Sequence, residues 1–222
     1  MDNVLSTMLE VADRLREGQL VGCAVRSVDL SQVSFERKTL NDVTLTRVGL
    51  TEARLHGLTA TNLQVAESAM RRAQLTKAYI QRSNFLNCEA FDLNAAGAIF
   101  EDTKWFESQL PNVNLSHGRL HNCQFQAVEL YGANFEYGCL ANCSFTDPRM
   151  GHASLNRAKF HGAMLIDVDL VGANLHASDF SEAVLIRVNF QGANLARANF
   201  RNTTLIDCKY HRDDLVDTTI LA

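Results

Sequence analysis

Residues Gly162–Phe200 read GAMLI DVDLV GANLH ASDFS EAVLI RVNFQ GANLA RANF, one five-residue phrase repeated with small variations. In each phrase a small residue (Ala163, Val168, Ala173, Ser178, Ala183, Val188, Ala193, Ala198) stands two places before a large apolar one (Leu165, Leu170, Leu175, Phe180, Leu185, Phe190, Leu195, Phe200). Such a period fits neither the roughly 3.6 of an amphipathic helix nor the roughly 2.0 of a half-buried strand. An internal repeat governs the fold, and it is read before anything else.

Working outward, the register does not break. Every position divisible by five from Leu20 to Ile220, 41 in all, is apolar. Three of them are alanine (Ala60, Ala90, Ala95), and next to two of these the small partner grows instead, to Leu58 and Leu93. Volume is conserved where the phrase looks broken, as close packing demands. With only two prolines and no Ser/Gly or charged run, the 222 residues contain no linker. The apolar runs are too short to span a bilayer and no signal-peptide core opens the chain, so a cytoplasmic protein with no membrane contact is expected. The net charge of −4 is mild and gives no reason to expect direct nucleic-acid binding.

Residues 1–17 differ. Val4, Leu5, Met8, Leu9, Ala12 and Leu15 recur at three- and four-residue spacing, which predicts a short amphipathic helix capped at Asp2 or Asn3 and stopped at Gly18. Its expected role is to cover the open end of the repeat stack, which begins at residue 18 and runs to 222.

The phrases GANL at Gly172–Leu175 and Gly192–Leu195, and GANF at Gly132–Phe135, resemble those of the pentapeptide-repeat family. The resemblance covers roughly residues 18–220 and implies an all-β fold, a right-handed quadrilateral parallel β-helix. Four phrases would make one twenty-residue coil, with the central residue and the small residue before it pointing inward. About ten coils at the inter-strand spacing of about 4.8 Å would give a rod of roughly 45–50 Å.

The residues themselves support a period of twenty. Phe85, Trp105, Phe125 and Phe145 fall in one inward column, and Phe160, Phe180 and Phe200 in another. Asn94, Asn114 and Asn134 share an outward column, and so do Asn174 and Asn194. Asp167, Arg187 and Asp207 alternate in sign at one corner. Other corners hold Gly57, Gly97, Gly132, Gly162, Gly172 or Gly192, where a tight turn has use for positive φ. Lys38 and Asp213 occupy inward small positions near the ends, where a charge can reach water. Pro148 occupies another, and its missing donor predicts a local bulge or an irregular corner at Asp147–Pro148.

No catalytic constellation emerges, and neither a cofactor nor a metal is expected. Cys23, Cys88, Cys123, Cys143 and Cys208 fall on small inward positions and read as reduced core thiols, while Cys139 points outward. His121 and His161 share a column but lie two coils apart, about 10 Å, too far for one ion. There is no triad, Walker loop or pocket-forming insertion. The expected function is therefore non-enzymatic and lives on the surface. Ile166, Ile186 and Ile206 stack outward in one column, flanked by Met164 and Val184, with Leu86 and Phe106 farther up beyond Gln126 and Thr146. Such a strip marks a candidate protein interface. A second, weaker cluster is Phe91, Pro111 and Tyr131.

The reading preferred from the sequence is a rigid protein-binding scaffold, with a homodimer through an uncovered C-terminal coil as a further expectation. The family resemblance implies two alternatives. One is a DNA-mimic binder of DNA gyrase in the manner of the Qnr/MfpA-like group, conferring inhibitor or quinolone resistance; the other is an accessory or effector of a bacterial secretion system. The chain departs from the gyrase-binding pattern in having no projecting loops and a sparse row of carboxylates (Glu89, Glu129, Asp169) interrupted by Arg149.

Overall fold

A computed structural model describes residues 3–210. Asp2, Asp213 and Ile220 lie outside the described residues, as does the C-terminal coil expected to pair in a dimer.

The chain winds into a four-sided, all-parallel β-solenoid of about ten turns. Strand residues pair with those twenty positions later, from Gln19↔Thr39 in β2 (Gln19–Arg26) and β3 (Thr39–Thr46) to Ile186↔Ile206 near the end. Between the strands, isolated parallel bridges such as Asn94↔Asn114↔Asn134 keep the same step. The central residue of every phrase from Leu20 to Phe200 is at most 4 % exposed. That burial is continuous, so the core is a single column of side chains rather than a set of clusters.

The aromatic columns form as the spacing requires. Phe85 stacks on Trp105 at 3.9 Å and Phe125 on Phe145 at 4.9 Å. Phe160, Phe180 and Phe200 stack in turn at 4.8 and 5.2 Å. Offset-parallel contact is what a fixed rung spacing imposes on flat rings. Ala60 lies between Leu40 and Ile80 on adjacent rungs. Ala60 and the enlarged Leu58 beside it are both buried, at 0 % and 1 % exposure.

Corners explain the rest of the phrase. Positive φ occurs at every position ending in 2 or 7 from Gly22 to Asp207, at the expected glycines and also at residues such as Ala127, Tyr137 and Ala177. One kind of corner is a turn closed by a backbone bond, as where Val33 N–H donates to Leu30 O at 3.1 Å with Gln32 at φ 61°. At these corners the residue before the central one uses its side chain locally. Asn94, Asn114, Asn134, Asn174 and Asn194 each accept from the N–H two residues on, at 2.9–3.3 Å. This local bond accounts for the Asn of GANL.

The other kind of corner corrects the expectation at Pro148. In the column Val28, Val48, Ser68, Cys88, Ser108, Val128, Pro148, Val168, Val188, Cys208 no backbone N–H donates to a backbone carbonyl. Those of Val48 and Cys88 donate instead to Ser68 Oγ and Ser108 Oγ one coil on, both at 3.0 Å. Proline removes a donor that the ladder does not use. Pairing therefore runs through undisturbed, Phe125↔Phe145↔Leu165, with no bulge.

The N-terminus also differs from the reading. Val4–Leu5 is not helical but a strand, β1, paired with Ala24 and Val25 of β2. The helix, α1, spans Met8–Arg16 and is capped by Thr7, not Asn3. Thr7 and Glu10 form a reciprocal capping box that satisfies the first free N–H groups. Gly18 follows the helix with φ 94°. Val11 and Leu15 are buried over the first coil, whereas Met8 and Leu9 face solvent, so the helix covers the end of the stack with a narrower stripe than its spacing suggested. Lys38 is half-buried beside this helix at an open recess shared with Ala12, Leu15 and Arg16. No helix among the described residues is long and apolar enough to cross a membrane.

Candidate interaction face

One side of the rod carries the sequence-derived strip. The inward column Phe125, Phe145, Leu165, Leu185 forces the residues on either side of it outward. Met164 pairs with Val184, and Ile166, Ile186 and Ile206 occupy three adjacent rungs. Met164 and Ile206 are 43 % and 44 % exposed; Ile166, Val184 and Ile186 are half-buried. Farther along the same side, Leu86 and Phe106 are adjacent, then Gln126 and Thr146 intervene before Ile166. A shallow groove of about 260 Å³ opens there, lined by Asn84, Leu86, Lys104, Phe106, Gln124 and Gln126. The face thus has an apolar ridge toward the C-terminal end and an apolar-floored groove toward the N-terminal end.

Charge borders the ridge. Arg187 grips Asp167 one rung away with two bonds, 2.6 and 2.7 Å. The hydrogen-bonded guanidinium holds the Asp167 carboxyl below its ordinary value of 3.8. Asp207 follows on the next rung.

The second cluster is engaged within the protein. Arg71 lies over Phe91 at 5.1 Å while bonding Glu89 at 2.6 Å, and Tyr131 meets His152 edge-on and covers Gly151. The carboxylate row is likewise compensated, with Arg149 at 3.6 Å from Glu129.

Another cluster escaped the reading of the sequence. His117 stacks on Tyr137 at 5.0 Å, and Arg157 lies over the same ring at 5.6 Å. The spacing 117, 137, 157 is the signal that could have found it.

The thiols behave as small core residues. Cys123 and Cys143 donate to Phe100 O and Leu120 O, both at 3.4 Å, and burial pushes the Cys88 thiol up to about 11. His56 and His161 bond the hydroxyls of Thr76 and Ser181 one rung away. Among the described residues no three His, Cys, Asp or Glu side chains converge as metal ligands.

The family profile described as pentapeptide repeats matches residues 108–147, 149–181 and 178–209, in eight copies. The matched segments carry pentapeptide repeats. The pairing step found within the matched residues continues unbroken from them back to Gln19. Among solved structures, the solenoid is similar to HetL, a pentapeptide repeat protein involved in heterocyst differentiation regulation from the cyanobacterium Nostoc sp. strain PCC 7120. They share 20 % identity over 89 % of this chain and 94 % of that one, with a TM-score of 0.64. ORF18 of Geobacillus virus E2 matches at 10 % identity over 84 % of this chain and 48 % of its own, TM-score 0.54. QnrB1, a plasmid-mediated fluoroquinolone resistance protein, aligns at 16 % identity over 90 % and 96 % with a TM-score of only 0.38. At these identities the likeness is one of fold. No curated relative matches the chain.

Proposed function

We propose that this pentapeptide-repeat protein is a rigid, non-enzymatic scaffold that binds protein through the side carrying Leu86, Phe106, Met164, Ile166, Val184, Ile186 and Ile206. The observation that carries the reading is the run of three isoleucines on successive rungs, a contiguous apolar strip on a flat sheet face. Isolated exposed apolar residues need no explanation, but a column repeated rung after rung with a flanking Met and Val does. A solenoid held by every-rung packing presents such a strip without rearrangement, so binding carries little ordering cost. Ile186→Asp tests it. The substitution should keep the β-rich circular dichroism spectrum and abolish capture of partner protein from host lysate; undiminished capture by a folded variant would overturn the reading.

A further inference from the structure

We infer that the occupant of this face is a second copy of the chain, packed side by side and antiparallel, with the twofold axis crossing the rung of Thr146. The inference rests on the proposed binding face and names its partner.

The ridge and the groove lie in the same column on opposite sides of Thr146. Counting rungs, Leu86 and Phe106 stand three and two steps to one side, Ile186 and Ile206 two and three steps to the other. A twofold axis lying across the face at Thr146 reverses the rungs and keeps the columns. It brings Phe106 onto Ile186 of the partner subunit and Leu86 onto Ile206 of the partner subunit, twice over. The groove floored by Leu86 and Phe106 then receives the isoleucine ridge. The interruption of the strip by Gln126 and Thr146, unexplained for a foreign ligand, becomes the centre of a symmetric contact. Three pairings are mismatched: Gln126 against Ile166 of the partner subunit, and in the flanking column Gln124 against Met164 of the partner subunit and Lys104 against Val184 of the partner subunit.

The bordering charges follow the same operation. Glu107, which has no ion-pair partner among the described residues, meets Arg187 of the partner subunit. This pair occurs twice, against the single self-apposition of Asp147. Seven rungs at about 4.8 Å and a side about 15 Å wide bury on the order of 1,000 Å² over both copies, at the lower bound for a specific interface. A closed, isologous dimer of moderate affinity follows, since one operation uses both complementary patches and leaves neither free to propagate.

Sedimentation velocity of the full chain across the micromolar range should show a monomer–dimer equilibrium. Phe106→Asp and Ile186→Asp, on opposite sides of the axis, should each weaken it at least tenfold. Glu107→Arg should weaken it, and adding Arg187→Glu should restore it, a rescue that misfolding does not produce. With Cys139 and Cys208 changed to Ser, Thr146→Cys should yield covalent dimer with a short bis-maleimide cross-linker, whereas Thr46→Cys on the same side should not. A chain that stays monomeric at all concentrations, a dimer untouched by both Asp substitutions, or equal cross-linking at positions 46 and 146 would overturn the inference. A monomeric wild type whose partner capture is still lost in Ile186→Asp would sink the dimer alone and leave the binding face standing.

Discussion

Ala177 holds φ at 55°, in the left-handed region that favours glycine. For an L-residue that conformation costs roughly 1–2 kcal/mol, against roughly 0.4–1 kcal/mol of unfolded-chain entropy that glycine adds. Ala177→Gly should therefore stabilise the fold by roughly 0.5–1 kcal/mol, read as a raised denaturant midpoint; an unchanged or lowered midpoint would contradict the corner geometry. At Asn114 the reverse holds. Its side chain accepts from Ser116 N–H at 3.1 Å, so Asn114→Ala should cost about 1 kcal/mol. The column of asparagines was legible in the sequence, but its cause was not. A ladder between rungs and a local bond two residues on place the same residue type at the same position, and side-chain spacing does not separate them. Pro148 teaches the same lesson. Its inward position was legible; that its corner uses no backbone donor is a property of hydrogen bonding that no pattern of side chains displays.

At the scale of an element, α1 depends on its first turn. Glu10 accepts from Ser6 N–H at 2.8 Å and Thr7 N–H at 3.0 Å, and these bonds hold its carboxyl below the ordinary 4.5. Because the folded value is the lower one, the stabilisation is present above the unfolded value and is lost as pH falls through the folded value. Far-UV circular dichroism and thermal midpoints should show the N-terminal helix loosening under acid, with Glu10→Gln abolishing that contribution. Thr7→Ala should cost about 1 kcal/mol at neutral pH through the lost cap. The spacing places the helix start a little more than one turn too early because Val4 and Leu5 extend the spacing of Met8 and Leu9. What decides against it is a partner: Ala24 N–H donates to Asn3 O at 2.9 Å, recruiting the segment to the sheet. The register held a clue, since Leu5 is itself divisible by five and is buried like the other central residues.

For the whole molecule, the fold was legible because one periodicity, sustained without insertion, determines which side chains turn inward and which residues stack. The candidate face was legible for the same reason, since columns follow from arithmetic once the step is twenty. How charges neutralise each other between columns was not, because long side chains reach across corners that a flat map keeps apart. Arg71 closes on Glu89 at 2.6 Å from the neighbouring column and Arg54 on Glu36 at 3.4 Å, whereas Arg47–Glu67 and Arg187–Asp167 pair within a column, as the step of twenty implies. A topoisomerase grips duplex DNA through a dense, uncompensated row of phosphates, and a protein imitating it needs carboxylates equally free and equally close. Here the acidic corner is broken by arginines that occupy the same carboxylates. The purified protein should therefore leave DNA gyrase supercoiling unchanged, with or without a quinolone, in a gel assay at protein concentrations well above that of the enzyme. If supercoiling is inhibited, or if the quinolone block is relieved, the paired carboxylates must open on contact with the enzyme. Arg71→Ala and Arg149→Ala, which free Glu89 and Glu129, would then strengthen the effect.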